Sequence, residues 1–340
     1  MKALKIVISA IVGLIVLMVA VGFALPDRAH IERSTLVQAK PQVVYVVLNG
    51  FRQFRKWSPW EGLDPNAEQT LSGPIWGVGA RQAWSSKDPS VGSGSQEIIA
   101  TEPDRSVSVR LVFEGFNSEN TAIYTLTPEG EGTRVVWSYD SVFHGDLLGR
   151  YFGLLLDKML GPDYEKGLAQ LKTLVESLPK TDFSGVELAV VQVETGPILY
   201  VSDSASAAEA GNKLGSAYGQ IMAVMAAQGL KQVAAPMAIT RKFDEASKFW
   251  EFDAAIPVDR LPSEPLNEGA VKQGSSYAGW ALRATHTGPY EAMAPTYEKL
   301  LAYKAVAGFD DNGNSWEHYV TDPTTVPPEQ VKTEVYWPIK

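Results

Sequence analysis

Glu334 stands in Thr333-Glu334-Val335-Tyr336-Trp337-Pro338-Ile339, a segment of β-branched and aromatic residues with period-2 alternation. Val331, Thr333, Val335 and Trp337 share one face of such a strand, and Lys332, Glu334 and Tyr336 share the other. A carboxylate desolvated among aromatic rings attracts a lipophilic cation through charge and cation–π contact. The same desolvation raises its pKa toward neutrality, which suits a general acid or base. The plain alternative is a solvated Glu334, or one paired with Lys332. A second strand, Trp316-Glu317-His318-Tyr319, precedes it across a Pro-rich loop with Pro323, Pro327 and Pro328. Here Glu317 and Tyr319 share a face opposite Trp316 and His318. Tyr319 can stack on a ligand, donate its hydroxyl, or simply pack. For His286, before a Gly-Pro turn, a hydrogen bond at a helix entry is expected.

Other chemistries are narrowed by composition. The 340 residues include no Cys, which excludes disulfides, thiolate metal sites and Cys nucleophiles. None of the 4 His stands at metal-ligand spacing with another, so neither metal nor cofactor is expected. A net charge of −9 and the lack of any Lys/Arg run argue against a nucleic-acid partner.

The elements that position these residues fall into three parts: 1–26, 27–180 and 186–340. Ile6 to Leu25 is an uncharged apolar run, long enough as a helix to cross a bilayer core of about 30 Å. Lys2 and Lys5 precede it and Pro26-Asp27-Arg28 ends it, so the bulk of the chain is expected on the outer, periplasmic or extracellular side. Its length favours a single-pass anchor over a cleaved signal peptide.

Residues 27–180 read as one strand, short helices from Pro41, an antiparallel meander, and a long helical pattern from Leu147 to Glu176. Tyr164, Leu168, Leu171 and Val175 mark the buried stripe of that pattern, and Gly161-Pro162 is expected to kink or split it. Trp57, Trp60, Trp76, Trp84 and Trp137 either line a ligand cavity or pack. Residues 186–340 contain an internal repeat of two βαββ-type halves. The overlay of Phe252-Asp253-Ala254-Ala255-Ile256-Pro257 on Thr333 to Pro338 makes Asp253 the counterpart of Glu334.

Trp57-Ser58-Pro59-Trp60, Gly73-Pro74-Ile75-Trp76-Gly77-Val78-Gly79-Ala80, Trp84 and Gly132-Thr133-Arg134-Val135-Val136-Trp137 resemble the SRPBCC superfamily, in its polyketide-cyclase/dehydrase-like, START-related branch. That resemblance implies a helix-grip fold with a hydrophobic cavity, and no particular reaction. His286-Thr287-Gly288-Pro289-Tyr290, Trp316 to Tyr319 with Asp322-Pro323, and Thr333 to Ile339 resemble the GyrI-like effector-binding family. The resemblance implies a pocket with the last-strand glutamate, Glu334, at its base and Tyr319 as its foremost aromatic. Tyr336, Trp280 and Asp253 complete the expected ligand-binding set. Family regulators bind cationic hydrophobic compounds, and some stand-alone members hydrolyse strained electrophiles with that glutamate.

The fold expected is therefore α+β: a transmembrane helix, a helix-grip domain and a pseudo-symmetric duplicated effector-binding domain. The function expected is binding of a hydrophobic or amphipathic ligand, neutral or cationic, as sensor, scavenger or carrier, more readily than catalysis. The alternatives are a hydrolase with Glu334 as general base, and an envelope scaffold without ligand.

Overall fold

A computed structural model describes residues 2–64, 66–89, 91–116, 118–262, 266 and 269–340. The chain forms two compact units, Met1–Asp182 with Ala305–Gly308, and Phe183–Lys304 with Phe309–Lys340.

In the first unit, helix α1 (Lys2–Ala24) precedes β1 (Arg28–Val37), the short helices α2 (Pro41–Leu48) and α3 (Phe54–Trp57), and a meander. The meander strands are β2 (Glu68–Ser72), β3 (Arg81–Ser85), β4 (Ser93–Glu102), β5 (Ser106–Phe113), β6 (Glu119–Glu129) and β7 (Gly132–Val142). Helices α4 (Leu147–Gly153) and α5 (Leu156–Ser177) follow. The seven strands form one antiparallel sheet in the order β1-β7-β6-β5-β4-β3-β2. The α5 stripe Tyr164, Leu168, Leu171 and Val175 is buried. This is the helix grip that the alternation and the long helical stripe predict.

The helix break differs from expectation. It falls at residues 154–155, and Gly161-Pro162 lies inside α5. Gly161 has a packing role there. A Cβ on it would stand 2.3 Å from the Arg33 guanidinium, so only Gly lets that group lie across the helix. Arg33 then bonds Asp157 and Glu165, each at 2.9 Å, one turn to either side.

Aromatic rings fill the interior of the grip. Trp137 stacks on Tyr164 with centroids 3.9 Å apart, and Trp57, Trp60 and Tyr124 pack around Trp137. Trp57 and Trp137 are packing residues, not the walls of an open chamber. Trp76 and Trp84 stand half-buried, Trp84 edge-on to Phe113.

The second unit contains β8 (Glu187–Val193), β9 (Pro197–Ser206), α6 (Ala210–Gln228), β10 (Met237–Asp244), β11 (Phe249–Pro257), β12 (Val271–Ser275), β13 (Gly279–Thr287), all but the last turn of α7 (Ala294–Ala307), β14 (Trp316–Tyr319) and β15 (Lys332–Pro338). The sheet order is β12-β9-β11-β10-β14-β15-β13-β8. The repeat is thus β9-α6-β10-β11 and β13-α7-β14-β15, meeting where β10 pairs with β14. The outer strands are exchanged: β8 pairs with β13 and β12 with β9, each capping the half it does not adjoin in repeat order. The period-2 pattern identifies these strands, but their partners are long-range and carry no local signal.

The two faces of this sheet differ. Leu199, Val201, Phe252, Ala254 and Ile256 pack with Ala217, Ile221 and Met225 of α6 on one face. Ile198, Met237, Ala255, Ala281 and Trp316 form a second cluster with Tyr336, from residues of the opposite parity.

Candidate functional site

The register of β14 against β15 decides which residues meet. Glu317 stands opposite Val335 and Tyr319 opposite Thr333, whereas His318 stands opposite Glu334 and Trp316 opposite Tyr336. Residues directly opposite share a face. Glu317 and Tyr319 therefore project on the helix-covered side, and Glu334 and Tyr336 on the other.

Glu317 lies in a cage of tyrosines. Tyr297 of α7 donates its hydroxyl to Oε1 at 2.6 Å, and Tyr319 donates to Oε2 at 2.8 Å. Tyr218 of α6 stands edge-on to Tyr319 at 6.5 Å, and Tyr290, in the short turn before α7, edge-on at 5.6 Å. The Tyr218 hydroxyl is itself anchored on the Met237 carbonyl at 3.0 Å. Beside the cage His286 is buried, with its ring nitrogens against the Thr296 hydroxyl at 2.9 Å and the Pro289 carbonyl at 3.1 Å. This is the helix-entry role expected for it.

Burial pushes the Glu317 carboxyl pKa up, against the two tyrosine hydrogen bonds and the nearby His286. Burial beside that carboxylate likewise pushes Tyr297 and Tyr319 well up, since a phenolate there would meet a second negative charge. Glu317, Tyr218, Tyr297 and Tyr319 are all nonetheless only half-buried, and Tyr290 is exposed. The cluster is therefore packed around the Glu317 carboxyl, while its residues as wholes retain part of their surface. Among the described residues no Lys or Arg forms an ion pair with Glu317. The site is a carboxyl held by two tyrosine hydroxyls, with two further tyrosines packed on Tyr319.

The opposite face carries the other expected residues. Glu334 accepts from Arg283 Nη1 at 3.3 Å and from the Tyr336 hydroxyl at 2.7 Å. Tyr336 stacks on Trp316 at 4.9 Å and 5°, and burial with Glu334 alongside pushes its pKa up to about 12. His318, beside Glu334 across the ladder, is pushed down by burial. Asp253 shares this face and stands 3.1 Å from the Arg241 guanidinium. Asp253 and Glu334 thus occupy matching positions of the two repeats, and each faces an arginine. Trp280 belongs to the helix-covered face, toward the far end of β13 from the residues flanking Glu317.

The structure does not bring Glu334 and Tyr319 into one pocket. They lie on opposite faces, and the carboxylate beside Tyr319 is Glu317. The sequence signal for this was the shared parity of Glu317 and Tyr319. Tyr218, Tyr290 and Tyr297 come from helical and turn segments that no local pattern ties to β14.

Linkage gives a prediction. The folded state favours protonated Glu317, so this group's contribution to stability is complete below the ordinary value of 4.5 and is lost as pH rises through the raised folded pKa. Wild-type stability should fall relative to Glu317→Gln across that window and run parallel above it. Urea midpoints of both proteins from about pH 4 to 8 measure this. Parallel curves throughout would show that Glu317 is not desolvated.

Two known folds account for these features: an aromatic-filled helix grip, and a duplicated βαββ sheet with a tyrosine-bonded glutamate on its helix-covered face. Residues 28–176 form a domain of the polyketide cyclase/dehydrase and lipid transport family. Residues 187–340 form a GyrI-like small molecule binding domain. Comparison with curated proteins finds no match. Among solved structures, the C-terminal domain of EcmrR is 19% identical, covering 46% of this chain and 98% of its own, with a TM-score of 0.42. EcmrR in a DNA complex is 14% identical, covering 63% and 88%, with a TM-score of 0.42. A hydrolase from Listeria innocua is 16% identical, covering 45% and 92%, with a TM-score of 0.36. Likenesses at this level assign no activity to this chain.

Proposed function

We propose that this protein binds a lipophilic cation at the Glu317 site, as a membrane-anchored sensor, scavenger or carrier. The observation that carries the reading is a desolvated carboxyl among four tyrosines with no arginine or lysine ion-paired to it among the described residues. A carboxylate so placed is incomplete without a cation, and the rings supply cation–π contact and apolar area. Tyr319 is a ligand-binding residue in this reading. Glu334, Tyr336 and Asp253 are proposed to brace the opposite face through their arginines, with Trp280 outside the cage.

Binding without chemistry is favoured over hydrolysis with Glu334 as general base. Glu334 is held by Arg283 and Tyr336, and a base needs a lone pair free for water. We place the boundaries at 1–26 for the anchor, 27–180 for the helix-grip domain and 186–340 for the ligand-binding domain. The segment Leu4–Ala24 is long and apolar enough to cross a membrane. Lys2 and Lys5 before it support an outward-facing bulk of the chain. The net charge of −9 supports a role without nucleic acid.

Thermal shift on the full chain tests the reading with three ligands: tetraphenylphosphonium, a neutral phosphatidylcholine and a fatty acid. Tetraphenylphosphonium at 100 times its dissociation constant should stabilise by about 2.7 kcal/mol. Stabilisation by the neutral lipid or the fatty acid alone would contradict it.

A further inference from the structure

Helix α4 lies against the C-terminal end of α1. The Tyr151 hydroxyl donates to the Met18 carbonyl at 2.6 Å, and Leu147 and Tyr151 flank Gly22, where an added Cβ would stand 3.3 Å from each. Arg150 caps the helix end. Its Nη1 donates to the carbonyls of Gly22, Phe23 and Leu25, and its Nε to Asp27 at 3.0 Å. Those are the orphan carbonyls at which a helix terminus needs a partner when little water is present.

The other side of α4 is bare. Leu148 and Phe152 of α4, Leu155 in the turn after it and Met159 in the first turn of α5 are 75%, 50%, 53% and 50% exposed. Leu154 is also exposed, at 59%, as is Phe23 of α1, at 68%. A water-facing helix of a soluble domain carries polar residues at such positions.

From these two observations we infer that α4 and the turn into α5 enter the lipid layer that α1 crosses, with Leu148, Phe152 and Leu155 among the acyl chains. This rests on the reading that α1 spans a bilayer. Given that reading, depth follows from the contacts. Met18 is six residues inside the end of α1, about 9 Å along the axis. The Tyr151 hydroxyl bonded to that carbonyl therefore sits below the hydrocarbon boundary, and Leu147 against Gly22 sets α4 near it. The occupant of the apolar stripe is then continuous with the surroundings of α1. The helix grip is held on the membrane by two adjoining contacts, a span and an interfacial foot.

The absence of native cysteine permits single-site labelling of the full chain. Leu148→Cys, Phe152→Cys, Leu155→Cys, Val112→Cys and Leu14→Cys would each carry an environment-sensitive fluorophore in phosphatidylcholine–phosphatidylglycerol vesicles containing doxyl-labelled lipid. Val112 is an exposed apolar position on β5, and Leu14 lies in mid-α1. Labels at 148, 152 and 155 should be quenched several-fold more than the label at 112, and should approach that at 14. Quenching at 14 with none above the Val112 level on α4 would overturn the foot while leaving the span intact. No quenching at 14 would overturn the span, and the foot with it. A blue-shifted α4 label that lipid does not quench and dilution reverses would assign the stripe to a second copy, and would also overturn the proposal.

Discussion

Glu317→Gln should lose roughly 30- to 150-fold in affinity for tetraphenylphosphonium, the equivalent of about 2–3 kcal/mol. The substitution keeps the side-chain shape, removes the charge and leaves one acceptor oxygen, so one of the Tyr297 and Tyr319 hydroxyls must turn from the side chain. Water screens this charge weakly, because the carboxyl is buried enough for its pKa to be raised. Glu334→Gln should stay within about threefold of wild type, because that carboxylate faces the other side of the sheet and is already paired with Arg283. Isothermal titration of the three proteins makes the comparison. Equal losses in both variants would mean that the ligand does not distinguish the faces, and the cage would lose its role.

Trp137→Ala should destabilise the helix-grip unit by about 3–5 kcal/mol. Trp137 is 2% exposed and touches Tyr164, Trp57, Trp60 and Tyr124, so its removal opens the centre of the aromatic cluster. The neighbours cannot close the gap cheaply. Gly167 already lies against the Trp137 ring, where a Cβ would stand 2.8 Å from it, and α5 is held in place by the Arg33 ion pairs. Trp137→Phe keeps a ring in place and deletes a buried indole N–H that has no hydrogen-bond partner among the described residues. That change should cost less than about 1.5 kcal/mol. Denaturant midpoints of the two variants separate packing from polarity. A near-neutral Trp137→Ala would show that the grip tolerates a void there, as a ligand chamber would.

The fold was largely legible because its signals are periodic. Alternation from Ser106 to Val142 gives a meander, and the stripe from Tyr164 to Val175 gives the helix it grips. Repetition of Phe252–Pro257 in Thr333–Pro338 gives the duplication. Gly161-Pro162 misled because a Gly-Pro pair reads as a break, whereas here the missing Cβ admits Arg33. The site was legible only by halves. Parity places Glu317 with Tyr319 and Glu334 with Tyr336, but parity does not say which face a helix covers. That depends on α6 and α7, whose Tyr218 and Tyr297 reach β14 from 99 and 20 residues away in sequence. The resemblance drew attention to the last-strand glutamate, whereas the register sets the glutamate of the previous strand beside Tyr319.

Charge recognition by Glu317 is the centre of this account, and one cycle isolates it. Wild type and Glu317→Gln are each titrated with tetraphenylphosphonium and with triphenylphosphine oxide, which offers similar aromatic area without the charge. The preference of wild type for the cation should collapse in Glu317→Gln, while affinity for the neutral compound changes little. An undiminished preference for the cation in Glu317→Gln would show that some other group reads the charge.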